Sequence, residues 1–494
     1  MRLLSGSFAL ALTVVSLLPG NGRGDDSAVR QGTALLDEGD RLADQGEFTE
    51  AVIRYKRAME KLLPGLRKIP FKHEVKRDVT KRENMKALIL KEIEEDMTPE
   101  EFRANELSMK AFGLLPRDYN LKETLAQVYA EEVAAFYDPK TKTMHLIEEP
   151  KTAEKKAPGF FERLFGKKSG FDKDENKTVI AHELTHALAD QHYDLDAMQE
   201  AVKKDDDRSL ALDALIEGEA TLAMFGAGMD DWNGEEIIRL PAERMEFTFN
   251  LLAPFMPVMG AGKALRDAPP IISESMIFPY FRGMVFCAKV ANLGGWAAID
   301  DVYRNPPLST EQVLHPEKYR VKPDFPMTIE LGTLKPGDGW KEVGRNVLGE
   351  MQMAVMLRKH GGKTAAAGWD GDRYAVFEGD KDKLGLVWLS TWDSVDDARE
   401  FAHGYVSYQT AKAAKAGNLG SPAKPVPDSV WRNLGDSFYV VQRRGRDVAV
   451  VEGFSAAATA GLLEAAFAAK QTEMKPGEPK REAAQTGAEK APHL

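Results

Sequence analysis

The sequence predicts an α+β protein, mostly helical, with a small second α+β unit toward its C-terminal end. Three observations support that class. Apolar and small residues recur at helical spacing across residues 34–63, 80–135, 178–221 and 239–293. The one clear alternating stretch among them is Thr143–Ile147, which reads as a strand after the turn signal Asp138-Pro139-Lys140-Thr141. After Pro336-Gly337-Asp338-Gly339 the pattern changes to strand pairs, each followed by a helix.

With 494 residues the chain is long enough for two or three domains, each with an ample core. Its 43% hydrophobic and 29% charged content is that of an ordinary globular protein. A net charge of −11 argues against nucleic acid as a partner, because no basic face dominates to neutralise phosphates. The local basic runs Lys68–Arg82 and Lys155–Lys173 read as solvated faces. Cys287 is the single cysteine and lies in an apolar segment, so it reads as a small core residue. With no cysteine cluster, any metal must be held by histidines and carboxylates.

In chain order, residues 1–24 read as an export signal. Arg2 precedes the apolar run Phe8–Leu18, and Pro19-Gly20 then breaks the helix. The run is too short for a membrane span, so no stable span is expected once the signal is removed. The expected location is secreted or periplasmic; the missing Ala-x-Ala site leaves an uncleaved anchor as the alternative. Residues 28–64 follow as a helical hairpin. Leu35, Gly39, Leu42, Gly46, Phe48, Ala51, Tyr55 and Ala58 resemble one tetratricopeptide-type repeat, with Pro64 closing the second helix. A lone repeat cannot bury its own face. It must therefore pack on its neighbour, or on a protein partner. Further on, Thr98 and Pro99 mark a helix start as N-cap and first helical residue. Between the strand and the next helix, Lys151–Asn176 reads as an insertion, with Phe160–Phe165 as a lid or membrane-touching piece.

That next helix carries His182-Glu183-Leu184-Thr185-His186. Positions i and i+4 lie one above the other on a helix, so both imidazoles can face one metal ion. Glu183 sits beside them, where a carboxylate can take a proton from water. The flanks Thr178–Ala181 and Ala187–Ala189 are small or apolar, as in a buried helix. A third ligand is required. His192 has the spacing of the metzincin pattern, but that pattern needs glycine where this chain has Ala189. If the helix continues instead, His192 turns about 80° away from His182. Other candidates are Glu217 and Glu219, in Leu215-Ile216-Glu217-Gly218-Glu219-Ala220, which reads as a second helix returning after the polar loop Lys203–Arg208. His-Glu-x-x-His followed by an x-Glu-Gly-x-Ala helix resembles the gluzincin zinc peptidases. The resemblance covers about forty residues and implies a zincin-like metallopeptidase core over residues 65–335, an active-site helix with a short edge sheet. It implies Zn2+ held by His182, His186 and Glu217, Glu183 as general base, and a peptide or protein substrate. It also implies Met144–Glu148 as the sheet edge; His145 on that strand reads as solvent-facing, with a position facing the cleft as the alternative.

Downstream, Pro254, Pro257, Pro269 and Pro270 divide an apolar helical region. Ser309-Thr310-Glu311-Gln312-Val313-Leu314-His315-Pro316 is a block shared with secreted bacterial proteins that resemble this one. His315 or Tyr280 is a candidate donor to a tetrahedral oxyanion. The bland alternative is a capping box from Ser309 to Gln312. Residues 345–470 form the expected C-terminal α+β domain, with a sheet on one side and helices on the other. Residues 471–494 are rich in Pro, Glu, Lys and Ala and read as disordered. The sequence as a whole points to an exported zinc metallopeptidase. Its rivals are a non-proteolytic metal hydrolase and a partner-binding protein with a structural metal site.

Overall fold

A computed structural model of the protein describes residues 27–133, 135–148, 173–252, 262–415, 428–433 and 437–476. The signal at 1–24, the Phe160–Phe165 piece and the tail beyond 476 lie outside these residues. The class is α+β, and no described helix is long and apolar enough to cross a membrane.

The hairpin is formed by α1 (Ser27–Asp44) and α2 (Phe48–Arg67). The chain turns between them at Gly46, whose φ of +82° is a conformation that a Cβ opposes. At Gly39 a Cβ would lie 2.5 Å from the Tyr55 ring, so only glycine lets the helices meet there. Pro64 does not close α2 as expected. The helix runs on to Arg67 and ends at left-handed Lys68, because the bond forfeited at proline is offset by burying Leu66 and Arg67. The hairpin packs within its own chain. Leu36, Tyr55 and Leu62 belong to the same core as Ile180, Leu184 and Leu215.

Three helices follow, α3 (Met85–Asp96), α4 (Pro99–Phe112) and α5 (Leu121–Glu132). Thr98 caps α4 in a full capping box with Glu101, which accounts for the sharp start of that helix. A three-stranded sheet lies beside them, with β1 (Lys76–Lys81), β2 (Ala135–Asp138) and β3 (Thr143–Glu148) in the order β1-β3-β2. The expected edge strand Met144–Glu148 is therefore the centre of the sheet. β1, from the basic run read as a solvated face, pairs with it in parallel, and β2 pairs antiparallel on its other side. The residues of β1 are almost all exposed, so it has no apolar alternation to announce a strand. His145 is half-buried rather than solvent-facing, and its ring stacks on Phe136 at 4.6 Å.

The central helices are α6 (Lys173–Tyr193), α7 (Leu195–Val202), α8 (Asp206–Gly228), α9 (Ala242–Leu252) and α10 (Pro270–Arg304). Pro269 and Pro270 start α10 as N-cap and first residue, and the helix is interrupted at Gly294 and Gly295. α8 and α10 cross with their backbones in contact. A Cβ on Gly218 would lie 2.1 Å from the Gly283 carbonyl carbon, and one on Gly283 would lie 2.0 Å from the Ala214 oxygen.

The C-terminal region is a six-stranded antiparallel sheet. Beyond β4 (Met327–Glu330), its strands are β5 (Lys341–Asn346), β6 (Trp369–Gly379), β7 (Lys383–Trp392), β8 (Ser429–Asn433), β9 (Phe438–Arg444) and β10 (Asp447–Phe454), in the order β5-β6-β7-β10-β9-β8. Helices cover both faces rather than one, because successive residues on the inner strands are apolar on both sides. Leu386 and Trp388 meet α11 (Gly349–Met356) and α12 (Val395–Lys415), while Val387 and Leu389 meet α13 (Ala456–Phe467). The last strand, β11 (Lys470–Glu473), reaches into the stretch expected to be disordered and pairs with β4.

Candidate metal centre

Residues 178–190 of α6 are buried without exception, so the helix is enclosed on all sides. Each polar group on it must then find a partner inside the protein. The Thr185 hydroxyl donates to the Ala181 carbonyl at 2.7 Å. Asp190 accepts from the Tyr137 hydroxyl at 2.6 Å, from the Lys142 ammonium at 3.0 Å and from the Leu195 amide at 3.0 Å.

His182, His186 and Glu217 face one another. Nε2 of His182 is 3.1 Å from Nε2 of His186 and 3.1 Å from Oε2 of Glu217, and His186 Nε2 is 3.4 Å from that same oxygen. The three residues form a buried group whose ligand atoms lie within 4.8 Å of one another. Tetrahedral zinc with bonds of about 2.0–2.1 Å separates its ligand atoms by roughly 3.3 Å. The triangle therefore has the size of one face of such a tetrahedron, and its donors, two imidazoles and a carboxylate, are those zinc takes. Burial pushes the His182 imidazole below its ordinary value, toward the neutral form a metal needs. Burial opposes the Glu217 charge, but the adjoining histidines outweigh it and hold the carboxyl down at about 2.

Glu183, fully buried, turns to the β-sheet side. Its Oε2 accepts the backbone N–H of Tyr137, in β2, at 2.8 Å. The short sheet thus orients the carboxylate beside the triad. Gly218 explains why glycine follows Glu217: any side chain there would drive α8 off α10 and carry Glu217 with it.

The other proposed ligands go elsewhere. α6 runs unbroken through Ala189, so His192 is turned away and its Nε2 meets the Pro70 carbonyl at 2.8 Å. Glu219, two residues past Glu217, points to another side of α8 and pairs with Arg67 and the Tyr303 hydroxyl. Tyr280 does reach the site, with its ring stacked on His182 at 6.0 Å and 18°. His315 is not brought to the triad. Its Nε2 is 2.9 Å from Glu350, and the hydrogen bond to that buried carboxylate raises the imidazole above its ordinary value. Ser309 caps its short helix as expected, but Gln312 accepts from the Leu308 amide rather than from Ser309, so the box is displaced by one residue.

Two residues of the site carried no sequence signal. Tyr137 presents its amide to Glu183 and its hydroxyl to Asp190 from a four-residue strand too short to show a period. Tyr129 is buried in α5, and its phenol proton is held by burial and by the charges of Asp213 and Glu217. A helix-facing tyrosine in an apolar run is indistinguishable from core.

A second group of possible ligands, Glu311, Asp324 and Asp393, surrounds the Lys318 ammonium. Lys318 lies 2.7 Å from Glu311 and 3.0 Å from Asp324, and it also pairs with Asp393. Nearby, Asp207 accepts from both the amide and the hydroxyl of Thr310. The Ser309–Pro316 block thus joins the helical half to the C-terminal sheet.

Residues 336–463 match the family described as Domain of unknown function (DUF8575). No curated protein and no solved structure matches the chain.

Proposed function

We propose that the protein is an exported zinc-dependent metallopeptidase with a zincin-like core of the gluzincin type. The observation that carries this is the triangle of His182, His186 and Glu217, with Glu183 held beside it by the Tyr137 amide. His182, His186 and Glu217 would hold the metal, their facing atoms being Nε2, Nε2 and Oε2. Bound there, zinc supplies a Lewis acid that polarises the scissile carbonyl and brings the pKa of water down to about 7. Glu183 takes the proton of the attacking water and delivers it to the leaving nitrogen. The C–O bond forms first and makes the carbonyl carbon tetrahedral; the C–N bond then breaks as Glu183 delivers the proton, so the proton that leaves the water ends on the released amine.

The test is metal content of the purified full chain together with cleavage of a random peptide library. Stoichiometric zinc with metal-dependent cleavage supports the proposal. Zinc without peptide cleavage points instead to another hydrolysable bond or to a structural metal. Export rests on residues 1–24, and a reporter fused behind residues 1 to about 30 should leave the cytoplasm. A reporter retained inside removes that part.

A further inference from the structure

The hairpin α1–α2 spends its inner face on the helix that bears His182 and His186. Lys177 of α6 pairs with Asp40 at 2.8 Å and lies over the Tyr55 ring at 5.4 Å, while Lys173 pairs with Asp44 at 2.6 Å. At its far end α2 places Arg67 where three other helices meet. The Arg67 side chain is fully buried. Its Nε pairs with Glu219 of α8, and its Nη2 donates to Asp300 of α10 at 2.7 Å. Trp296 lies against the guanidinium, 5.0 Å away. Asp300 also accepts from the hydroxyl of Tyr193, the last residue of α6, at 2.6 Å. Tyr193 stacks on Tyr303 at 4.4 Å, and the Tyr303 hydroxyl donates to Glu219, closing the ring of contacts.

The helices tied together here are the ones that carry the triad. α6 brings His182 and His186, α8 brings Glu217, and Glu219 is two residues from Glu217. A buried ion pair contributes little net stability against an apolar replacement, and its best-attested use is to fix register. The planar fork of arginine is pre-organised to hold two carboxylates on two different helices in one orientation. We propose that Arg67 is a positioning residue for the metal centre, setting α6 and α8 in the register that brings the three ligand atoms together. The inner face of the hairpin is then part of the support of the site. This rests on the triad being a metal centre.

The experiment is zinc affinity by chelator competition, with the visible spectrum of the cobalt-loaded protein as a readout of ligand geometry. The double variant Arg67→Met/Glu219→Gln removes the charges of the fully buried pair together, and Asp300, which is partly exposed, keeps its hydrogen bond from the Tyr193 hydroxyl. It should bind zinc about 10–100-fold more weakly and show an altered cobalt spectrum. Tyr193→Phe removes one hydroxyl and should weaken zinc about fivefold, the worth of one hydrogen bond. Val450→Ala, in the core of the C-terminal sheet, is the control: it lowers thermal stability and should leave zinc affinity unchanged. A folded double variant with wild-type affinity and spectrum overturns the proposal, as does an equal loss of affinity in Val450→Ala. If the double variant does not fold, an unchanged Tyr193→Phe overturns it. A wild-type chain that binds no zinc overturns the metal-centre reading as well, and shows this before any variant is made.

Discussion

Two clusters in this molecule each gather three possible metal ligands, and they differ in what neutralises them. Around Glu311, Asp324 and Asp393 the chain supplies its own cation, the Lys318 ammonium. Around His182, His186 and Glu217 no lysine or arginine pairs with the group among the described residues, and two of the three ligands are imidazoles. The first cluster is a complete salt bridge, while the second has the donors and the spacing of a metal face. Proximity of ligands alone does not separate them. The charge already present at the centre does.

The largest effect that would sharpen this comparison is on turnover. Glu183→Gln should keep zinc and lose about 10²–10⁴-fold in hydrolysis, since an amide cannot take the water proton. Peptide turnover at matched metal content checks it, and normal turnover sinks the mechanism. Next comes ligand identity. Glu217→Ala should lose most of its zinc against a dilute competing chelator, while His192→Ala should retain it. The opposite pattern would put the site on the other face of α6. For the salt-bridged cluster, Lys318→Met should cost about 3 kcal/mol above pH about 9, where Glu311 is ionised and the variant leaves its carboxylate buried without a partner. Denaturant unfolding measures this, and an unchanged midpoint would mean that the carboxylates do not depend on the ammonium. The same cluster also sets a pH dependence. Burial pushes the Glu311 carboxyl up to about 9 from an ordinary 4.5, even against Lys318. The folded state therefore keeps that proton longer than the unfolded chain. Stability from this group is full below 4.5 and falls as pH rises toward about 9. Glu311→Gln should flatten that slope in the zinc-free protein. Zinc binding should run the other way, weakening as acid protonates the histidines, and a single pH profile for both would break the distinction.

The triangle of His182, His186 and Glu217 was legible because its residues are encoded locally. Four residues fix the spacing of His182 and His186, and Glu217-Gly218 marks its own helix. That Ala189 would carry the helix on and turn His192 away also followed from local geometry. The supports were not legible, because they join elements far apart in sequence. Nothing near Arg67 announces Glu219 or Asp300, and Pro64 argued that the helix had already ended. β1 escaped notice because an exposed strand at a sheet edge shows no apolar alternation. The same applies to the two-sided cover of the C-terminal sheet, since runs such as Val387-Trp388-Leu389 do not reveal which elements lie on each face. His315 shows the converse error: a functional residue type in a polar block was read as chemistry, and its partner is a buried glutamate at the seam between halves.

The pairing of β4 with β11 has a consequence for how the chain is made. Residues 327–330 leave the ribosome long before their partners at 470–473. Ile329 and Leu331 belong to the core that α13 completes, so until that helix and the strand just after it arrive, that side of the sheet has no cover. All the helices that bear the triad lie before residue 305 and can assemble meanwhile. Synthesis therefore favours a sequence of events in which the helical half condenses first and the sheet closes last, with the final strand acting as a latch. A chain cut short after residue 463 would retain every triad residue and still lack that latch.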